Sequence, residues 1–428
     1  MAQNNKIHFI GIGGIGMSGL ARLFKYEGKE VSGSDSTETE NTKKLITEGI
    51  TVTYEQGAEN ISSRRNLELV VYTEAMAQDH PELVAAREDG IRTINYFEAL
   101  GEIANEYYLI AVSGTHGKTT TTAMLIDILE EASFDPTAIV GSLRTKTGSN
   151  FRAGKSKYFI VEACEYKRDF LTLEPDVLVI TNIEHEHVDY YKDLADVQDA
   201  FHELAMKVPE DGAVIAIKSD PKVAPVLQGL KARVYDYKIE VFRDLALKQP
   251  GLYNRMNAGA ARATALVLGA EKEIVQEALE NFAGTARRFE YKGDVNGAKI
   301  YDDYAHHPTE ISAVISGVRE LYPDKKLTVV FQSHTYSRTH ELFEAFAEAL
   351  SKADRILMLP IYAAREENDS GVSAEKLTES IIKKGTEAEF FQTFEGVAVT
   401  VKESVGTGDV VVIMGAGDVV RVSAMLIA

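Results

Sequence analysis

Short apolar runs recur along this chain. Each is followed by a polar turn and then by a stretch with helical spacing. KIHFI (6–10) reads as a buried strand that leads through a glycine-rich turn, GIGGIG, into a helix. EVSG (30–33) and LELVVYTEAM (67–76) are the next apolar runs, the second passing into a polar turn. LIAV (109–112) turns through SGTHGK into TTTTAMLIDILEEA, where Met124, Leu125, Ile128 and Leu129 have helical spacing. YFIV (158–161), VLVIT (177–181) and GAVIAI (212–217) predict further strands, and Asp196 to Val208 predicts an amphipathic helix. The polar stretch SLRTKTGSNFRAG (142–154) reads as loop, and PGLYNRMNAGAARATALVLGA as a loop entering a helix of small residues. After GTARR (284–288), a strand ending in Asp302-Asp303 and the strands LTVVF, RILMLP and VVVIMGAG alternate with three helical segments. Such alternation predicts an α/β protein with mostly parallel sheets.

At 428 residues the chain exceeds one ordinary core, so several domains are expected. With 45% hydrophobic and 26% charged residues it has the composition of a soluble globular protein. A net charge of −19 argues against a nucleic-acid or anionic-membrane partner, while leaving room for a local basic site for phosphate. Cys164 is the single cysteine, which excludes an intrachain disulfide and fits a reducing compartment; a small buried residue is the default for it. The first residues lack a charged segment followed by a long apolar one, and no apolar run approaches 18 residues, so a cytoplasmic location is expected.

The most informative stretch is LIAVSGTHGKTTTT (109–122). A strand, a glycine-rich turn and a helix start form a phosphate-binding geometry, because the turn amides and the helix N-terminus point at the anion. Gly114, Thr115, His116, Gly117, Lys118, Thr119 and Thr120 make up the turn, with Lys118 able to reach the β/γ-phosphates and Thr119 able to ligate Mg²⁺. Val112 stands at the first glycine position of the usual G-x-x-x-x-G-K-[ST] pattern. Glu162, at the end of YFIV, is the nearest acid to replace the missing second metal motif. After VLVIT come Glu184, His185, Glu186, His187 and Asp189, an unusual density at a strand's carboxyl end, where an imidazole beside Mg²⁺ can ligate or accept a proton.

Near the start, Gly11, Gly13 and Gly16 fit G-x-G-x-x-G, and Asp35 follows Gly16 by 19 residues, the Rossmann spacing for an acid that meets a ribose. The same glycines could serve only tight strand–helix packing, and an NAD-dependent dehydrogenase would leave the phosphate loop without purpose. Arg144, Lys146 and Arg152 could bind anions or be solvated. Asn254 and Asn257 could cap a helix or read a base edge. In the last third Asp303, His306, His307, His334, Arg338 and Gly415 to Asp418 gather after strands. These patterns divide the chain into a Rossmann-like domain (1–106), a P-loop ATPase-like domain (107–286) and a Rossmann-like domain closing on the nucleotide (287–428).

GIGGIGMSGLA, GTHGKTTTT, EACEYKRDFL, TNIEHEHVDYY, the N-x-x-N of LYNRMNA, RRFEYKG, DDYAHHPTEI and FQSHTYSRT occur in this order over nearly the whole chain. Together they resemble the three-domain Mur ligases. The resemblance implies ATP and two Mg²⁺ ions as cofactors, and UDP-N-acetylmuramate and L-alanine as substrates in the alanine-adding branch. A ligase that attaches a preformed peptide to the same sugar nucleotide is the alternative. It also implies peptidoglycan synthesis in the cytoplasm by a monomer or homodimer. The lactyl carboxylate would attack the γ-phosphate of ATP to give an acyl phosphate, which the amine then attacks.

Residue by residue, the resemblance gives Lys118 the γ-phosphate, Thr119 one Mg²⁺, Glu162 a metal and His187 the second Mg²⁺. Asn254 would contact adenine, Arg288 the phosphates and Asp303 the ribose. His306, His307, His334 and Arg338 would approach the reacting carboxylate and the amino acid. Gly13, Gly14, Ile15 and Gly16 would seat the uridine diphosphate, with Asp35, Thr73 and Arg144 also on the substrate side. AFHEL (200–204) lacks the lysine that later-acting family members carbamylate, and Thr335 follows His334 where many alanine-adding members have Arg.

Overall fold

The computed structural model describes residues 6–64, 66–187, 190–241, 245–364, 366–368 and 370–427. Asp189, one of the acids singled out above, lies outside the described residues. The chain divides into two compact units. One is Met1–Ala246 with Met256–Ala283, and the other is Leu247–Arg255 with Gly284–Ala428.

The first unit carries two sheets. β1 (Lys6–Ile10), β2 (Glu30–Ser34), β3 (Thr51–Thr53), β4 (Leu67–Tyr72) and β5 (Arg92–Asn95) pair in the order β3-β2-β1-β4-β5, all parallel. β4 is shorter than its apolar run because Thr73 begins a turn, in which Met76 N–H bonds the Thr73 carbonyl at 2.8 Å.

The second sheet holds β6 (Tyr108–Ser113), β7 (Thr137–Arg144), β8 (Ser149–Arg152), β9 (Tyr158–Ala163), β10 (Val177–Ile180), β11 (Ala213–Ala216) and β12 (Arg233–Asp236). Their order is β12-β11-β10-β6-β9-β7-β8, with only β7 and β8 antiparallel. β6 is central, and Leu109 to Val112 are wholly buried, as expected of a parallel strand covered on both faces. Because β9 and β10 flank β6 on opposite sides, the strand order reverses here, and in open α/β sheets such a point is where ligands bind outside the strands' carboxyl ends. One apolar cluster runs from Phe9, Leu20 and Leu23 through Ile139 to Phe159 and Phe201, so the two sheets share a core.

The stretch expected as a loop over 142–154 is instead largely the β7–β8 hairpin. Its charges, which suggest solvent, are neutralised internally. Arg144 is buried and pairs with Asp127 and Glu130 of helix Lys118–Glu131. Arg152 bonds Glu130 Oε1 at 2.7 Å and Asp135 Oδ1 at 2.8 Å. Guanidinium forks between carboxylates can be held inside a fold where lone charges cannot.

The second unit holds β13 (Glu290–Val295), β14 (Ala298–Asp303), β15 (Leu327–Phe331), β16 (Arg355–Met358), β17 (Glu387–Phe390) and β18 (Val410–Met414), ordered β13-β14-β18-β15-β16-β17. Only β13 runs antiparallel to its neighbour. Apolar side chains pack on both faces: Val329, Phe331 and Phe346 on one, Ile300, Val330 and Ile413 on the other.

Candidate active site

The loop after β6 is shaped by its neighbours. Gly114 has φ +132°, and a Cβ there would lie 2.0 Å from Thr181 Oγ1. Gly117 has φ +86°, and a Cβ would lie 2.2 Å from Asn257 Oδ1. Only glycine satisfies both the backbone and the space. Asn182, just beyond β10, accepts the His116 N–H at 3.0 Å through its side chain, and its own carbonyl accepts the Thr115 N–H at 3.0 Å. Gly117 is the N-cap of helix Lys118–Glu131, so the loop delivers its amides to a helix N-terminus.

Lys118 Nζ donates to the carbonyls of Gly114 (2.6 Å) and Thr115 (3.1 Å), and to Glu165 Oε2 at 2.8 Å. Glu165 is only 2% exposed. Burial works against its charge, but Lys118 and His187 outweigh that and hold the carboxyl down to about 2. Burial likewise opposes the ammonium, and Glu165 raises the Lys118 pKa above the ordinary lysine value. On the other side of the lysine, the Thr119 hydroxyl donates to Glu162 Oε2 at 3.1 Å, and Glu162 Oε1 takes the Gly141 N–H at 2.5 Å. His187 has φ +55°, lies tilted with its ring 4.7 Å from that of Tyr166 and places Nε2 3.6 Å from Glu165 Oε1. His116 Nε2 lies 3.4 Å from Glu184 Oε2, and that imidazole, against burial and with help from Lys222, holds Glu184 down to about 2. Thr120 is buried behind the loop. Cys164 is half-buried rather than buried, and burial followed by Glu165 pushes its thiol up to about 12, so it stays neutral.

The glycine-rich loop after β1 is organised differently. Asp35 Oδ2 accepts the Gly13 N–H at 2.8 Å, so this acid holds the loop itself. Gly14 caps helix Ile15–Tyr26, and Gly16 leaves room for Tyr96, whose ring would lie 2.8 Å from a Cβ at that position. Thr73 stands beside Gly11, its methyl 2.7 Å from where a Cβ would be. Arg144, expected on the substrate side, is 3% exposed and pairs with Asp127 and Glu130 of the helix that follows the phosphate loop.

In the second unit, Asp303 Oδ1 accepts the Ala305 N–H and Oδ2 the Phe289 N–H, both at 2.7 Å, and burial pushes its carboxyl up to about 6. The Arg288 guanidinium lies 5.2 Å from the Tyr304 ring centroid. His307 caps helix Pro308–Leu321 by accepting the Thr309 N–H at 3.3 Å, while Glu310 reaches back to the His307 and His306 amides. His306 Nδ1 is 3.3 Å from Glu310 Oε2, and its ring meets that of His334 at 6.0 Å. His334 stacks on Tyr362, and its Nδ1 has no hydrogen-bond partner among the described residues. Thr335 has φ +66°, an uncommon conformation for a β-branched residue, and Arg338 follows on the short helix Tyr336–Glu341. Asn254 donates to the Pro250 carbonyl at 2.8 Å, so its amide ties down the helix entry.

Burial, reinforced by His306 and Arg338, pushes the His334 imidazole down to about 4. A folded-state value below the unfolded 6.5 means that His334 favours folding at neutral pH. That contribution is lost as pH falls from 6.5 towards 4. Histidine NMR across pH 7.5 to 4 is expected to show one ring still neutral near pH 5 that disappears in His334→Phe. Ordinary titration of every ring near 6.5 would contradict the placement.

Three family descriptions match in order: Mur ligase family, catalytic domain, over 6–108; Mur ligase middle domain over 112–249; and Mur ligase, glutamate ligase domain, over 287–417. The chain belongs to the Mur ligase family. Mur ligases are ATP-dependent enzymes that form amide bonds. This Mur ligase is 42% identical over 444 residues to the UDP-N-acetylmuramate–L-alanine ligase of Agathobacter rectalis, covering 97% of this chain and 96% of that one. It is 40% identical over 443 residues to the ligase of the same name from Clostridium tetani, with coverage of 97% and 96%. The crystal structure of UDP-N-acetylmuramate-alanine ligase from Thermotoga maritima matches with a TM-score of 0.82 at 29% identity, covering 99% of this chain and 98% of that one. A murein peptide ligase from Psychrobacter arcticus shares the fold, with a TM-score of 0.72 at 24% identity and coverage of 99% and 98%.

Sequence reasoning about this Mur ligase misses Glu165 and the Thr181-Asn182 pair, and it reads Asn257 as a helix cap or base reader without its place against Gly117. Glu165 lies in EACEYKRDFL, but Glu162 is nearer the strand, and nothing in the spacing says that the later acid holds Lys118. Asn257 comes from a distant helix. A signal existed for Thr181-Asn182, since polar residues ending a buried strand beside a phosphate loop are placed to brace it.

Proposed function

We propose that this chain joins L-alanine to the lactyl carboxylate of UDP-N-acetylmuramate, cleaving ATP to ADP and phosphate, in the cytoplasm. Residues 1–106 bind the sugar nucleotide on Gly13, Gly14, Ile15 and Gly16, with Thr73 nearby. Residues 107–286 bind ATP on the loop from Gly114 to Thr120. Residues 287–428 supply Arg288 and Asp303 for the nucleotide, and His306, His334 and Arg338 for the incoming amino acid. The observation that carries the proposal is the set around Lys118: a half-buried ammonium between the buried Glu165 and the loop, beside Thr119 and Glu162.

That donor set suits Mg²⁺. A hydroxyl meets a carboxylate at Thr119 and Glu162, and one ligand atom from each of Glu165, Glu186 and His187 lies within 4.8 Å of the others. Thr119 and Glu162 would hold one ion, and His187 with the nearby acids a second. When bound, the metal would supply positive charge that offsets the phosphate anions. The protein's part is orientation and charge. Lys118 neutralises the γ-phosphate as the sugar carboxylate attacks it and ADP leaves. The alanine amine then attacks the acyl carbon and loses a proton, and phosphate departs.

Phosphate release is expected only with ATP, Mg²⁺, UDP-N-acetylmuramate and L-alanine together, checked by a coupled phosphate assay and mass spectrometry of the UDP product. Equal release without an amino acid, or release with a tripeptide but not L-alanine, would overturn the assignment.

A further inference from the structure

Asn150 on β8 is fully buried although it is polar and close to the tip of a hairpin. Its side chain enters helix Ile15–Tyr26, next to the first glycine loop. The amide nitrogen donates to the Ile15 carbonyl and lies 3.3 Å from Ser18 Oγ, while Oδ1 accepts from Arg22 Nη1 at 2.7 Å. The helix admits it because position 19 is glycine: a Cβ there would be 3.1 Å from Asn150 Nδ2 and 3.0 Å from Ile139 on β7. Ser18 also takes Asn41 Nδ2 at 2.8 Å, and the same Asn41 nitrogen reaches the Gly13 carbonyl at 2.8 Å. One polar cluster thus joins Asn150 to both Gly13 and Ile15. Further contacts dock the hairpin, Tyr26 donating to the Gly154 carbonyl and Lys44 to that of Gly148, each at 3.1 Å.

The other strand of this hairpin reaches the phosphate loop. The Gly141 N–H holds Glu162, and Glu162 holds Thr119. Arg144 fastens the hairpin to the helix that the phosphate loop opens. One hairpin therefore contacts the first glycine loop directly, through Asn150, and reaches the phosphate loop through Glu162.

We propose that the β7–β8 hairpin is a strut that sets the separation of the two nucleotide seats, and that Asn150 is its positioning residue. The proposal rests on Gly13 to Gly16 seating the sugar nucleotide. Each loop can attract its own anion unaided, so the strut bears on the relative placement of carboxylate and γ-phosphate. In-line transfer is sensitive to that placement, and an error of about 1 Å can cost on the order of 100-fold in rate.

The test uses Asn150→Asp in the full chain, which keeps the acceptor for Arg22 and turns the donor facing Ile15 into an oxygen. Asn150→Ser is the companion, since its hydroxyl retains a donor. kcat for phosphate release is expected to fall about 10- to 100-fold in Asn150→Asp and less in Asn150→Ser. Calorimetric Kd values for ATP alone and for UDP-N-acetylmuramate alone are expected to stay within about twofold of wild type, as is usual when only transition-state positioning is lost. An unchanged kcat overturns the proposal. So does a fall in kcat matched by equal weakening of either nucleotide or by a large drop in Tm in both variants, because that is a scaffold defect. A wild-type chain that binds both nucleotides yet releases no phosphate sinks the ligase assignment instead.

Discussion

Lys118→Met is expected to lower phosphate release by on the order of 100- to 1000-fold, the usual loss when one preorganised charge on a transition state is removed. Methionine keeps the length and loses the ammonium. Glu165 then stays buried with the His187 imidazole 3.6 Å away and no ammonium beside it. Stranding one partner of a buried ion pair costs about 3–5 kcal/mol, so the variant also loses stability at pH 7. The sign with pH follows from the pair. In the native protein Glu165 sits at about 2 against an unfolded 4.5, so its contribution is present above 4.5 and disappears as pH falls towards 2. The stability gap between wild type and variant should therefore shrink as pH falls, because burial without the ammonium lets Glu165 in the variant take up a proton before the wild-type carboxyl does. Denaturant melts at pH 7 and pH 4 check this, alongside single-turnover phosphate release. Adding Glu165→Gln should recover stability without recovering activity. A variant that turns over normally would remove Lys118 from the mechanism.

Glu82→Ala carries the largest expected effect on stability away from the nucleotide loops. Glu82 is wholly buried in the first unit, and its Oε2 accepts from Ser34 Oγ at 2.7 Å and lies 3.4 Å from His8 Nε2. Oε1 accepts from Asn60 at 2.6 Å. Burial alone would raise this carboxyl, yet hydrogen bonds from His8, Asn60 and Ser34 bring it below the ordinary value. Truncation leaves a buried imidazole, a hydroxyl and an amide without their acceptor. The expected loss is about 3–5 kcal/mol. It should be larger at neutral pH than at pH 4, since a depressed carboxyl contributes fully above its unfolded value of 4.5 and progressively less as pH falls below it. Thermal melts at the two pH values read this directly. A loss under about 1 kcal/mol, the size of one ordinary hydrogen bond, would mean the network is not a unit.

The two variants also mark what is legible in a sequence and what is not. β6, its glycine turn and the following helix are legible because apolar run, turn residues and helical spacing are local signals. The same holds for the βα alternation of the second unit. The β7–β8 hairpin is hidden because charged residues imply solvent. Only the positions of Asp127, Glu130 and Asp135 reveal that its arginines are neutralised inside the fold. Glu165, Asn257 and Asn150 act on residues far away in the chain, and no local pattern encodes such pairings. His307 reads, beside His306, as a residue near the reacting carboxylate, and its further part as the cap of the helix Pro308–Leu321 shows only in the structure. Asp35 was legible by spacing, but its bond to the Gly13 amide is the business of the loop's own geometry.

The central position of β6 also bears on how the chain comes into being. The phosphate loop has its shape because Thr181, Asn182 and Asn257 press on it, and none of these exists when residues 109–122 leave the ribosome. β6 must wait for β9 and β10 before it has a neighbour on either side. Long-range pairings of this kind form late. A nascent chain halted before residue 257 therefore carries every letter of the phosphate loop while lacking one of the parts that mould it. Its ability to hold a nucleotide is one of the last properties the first unit acquires.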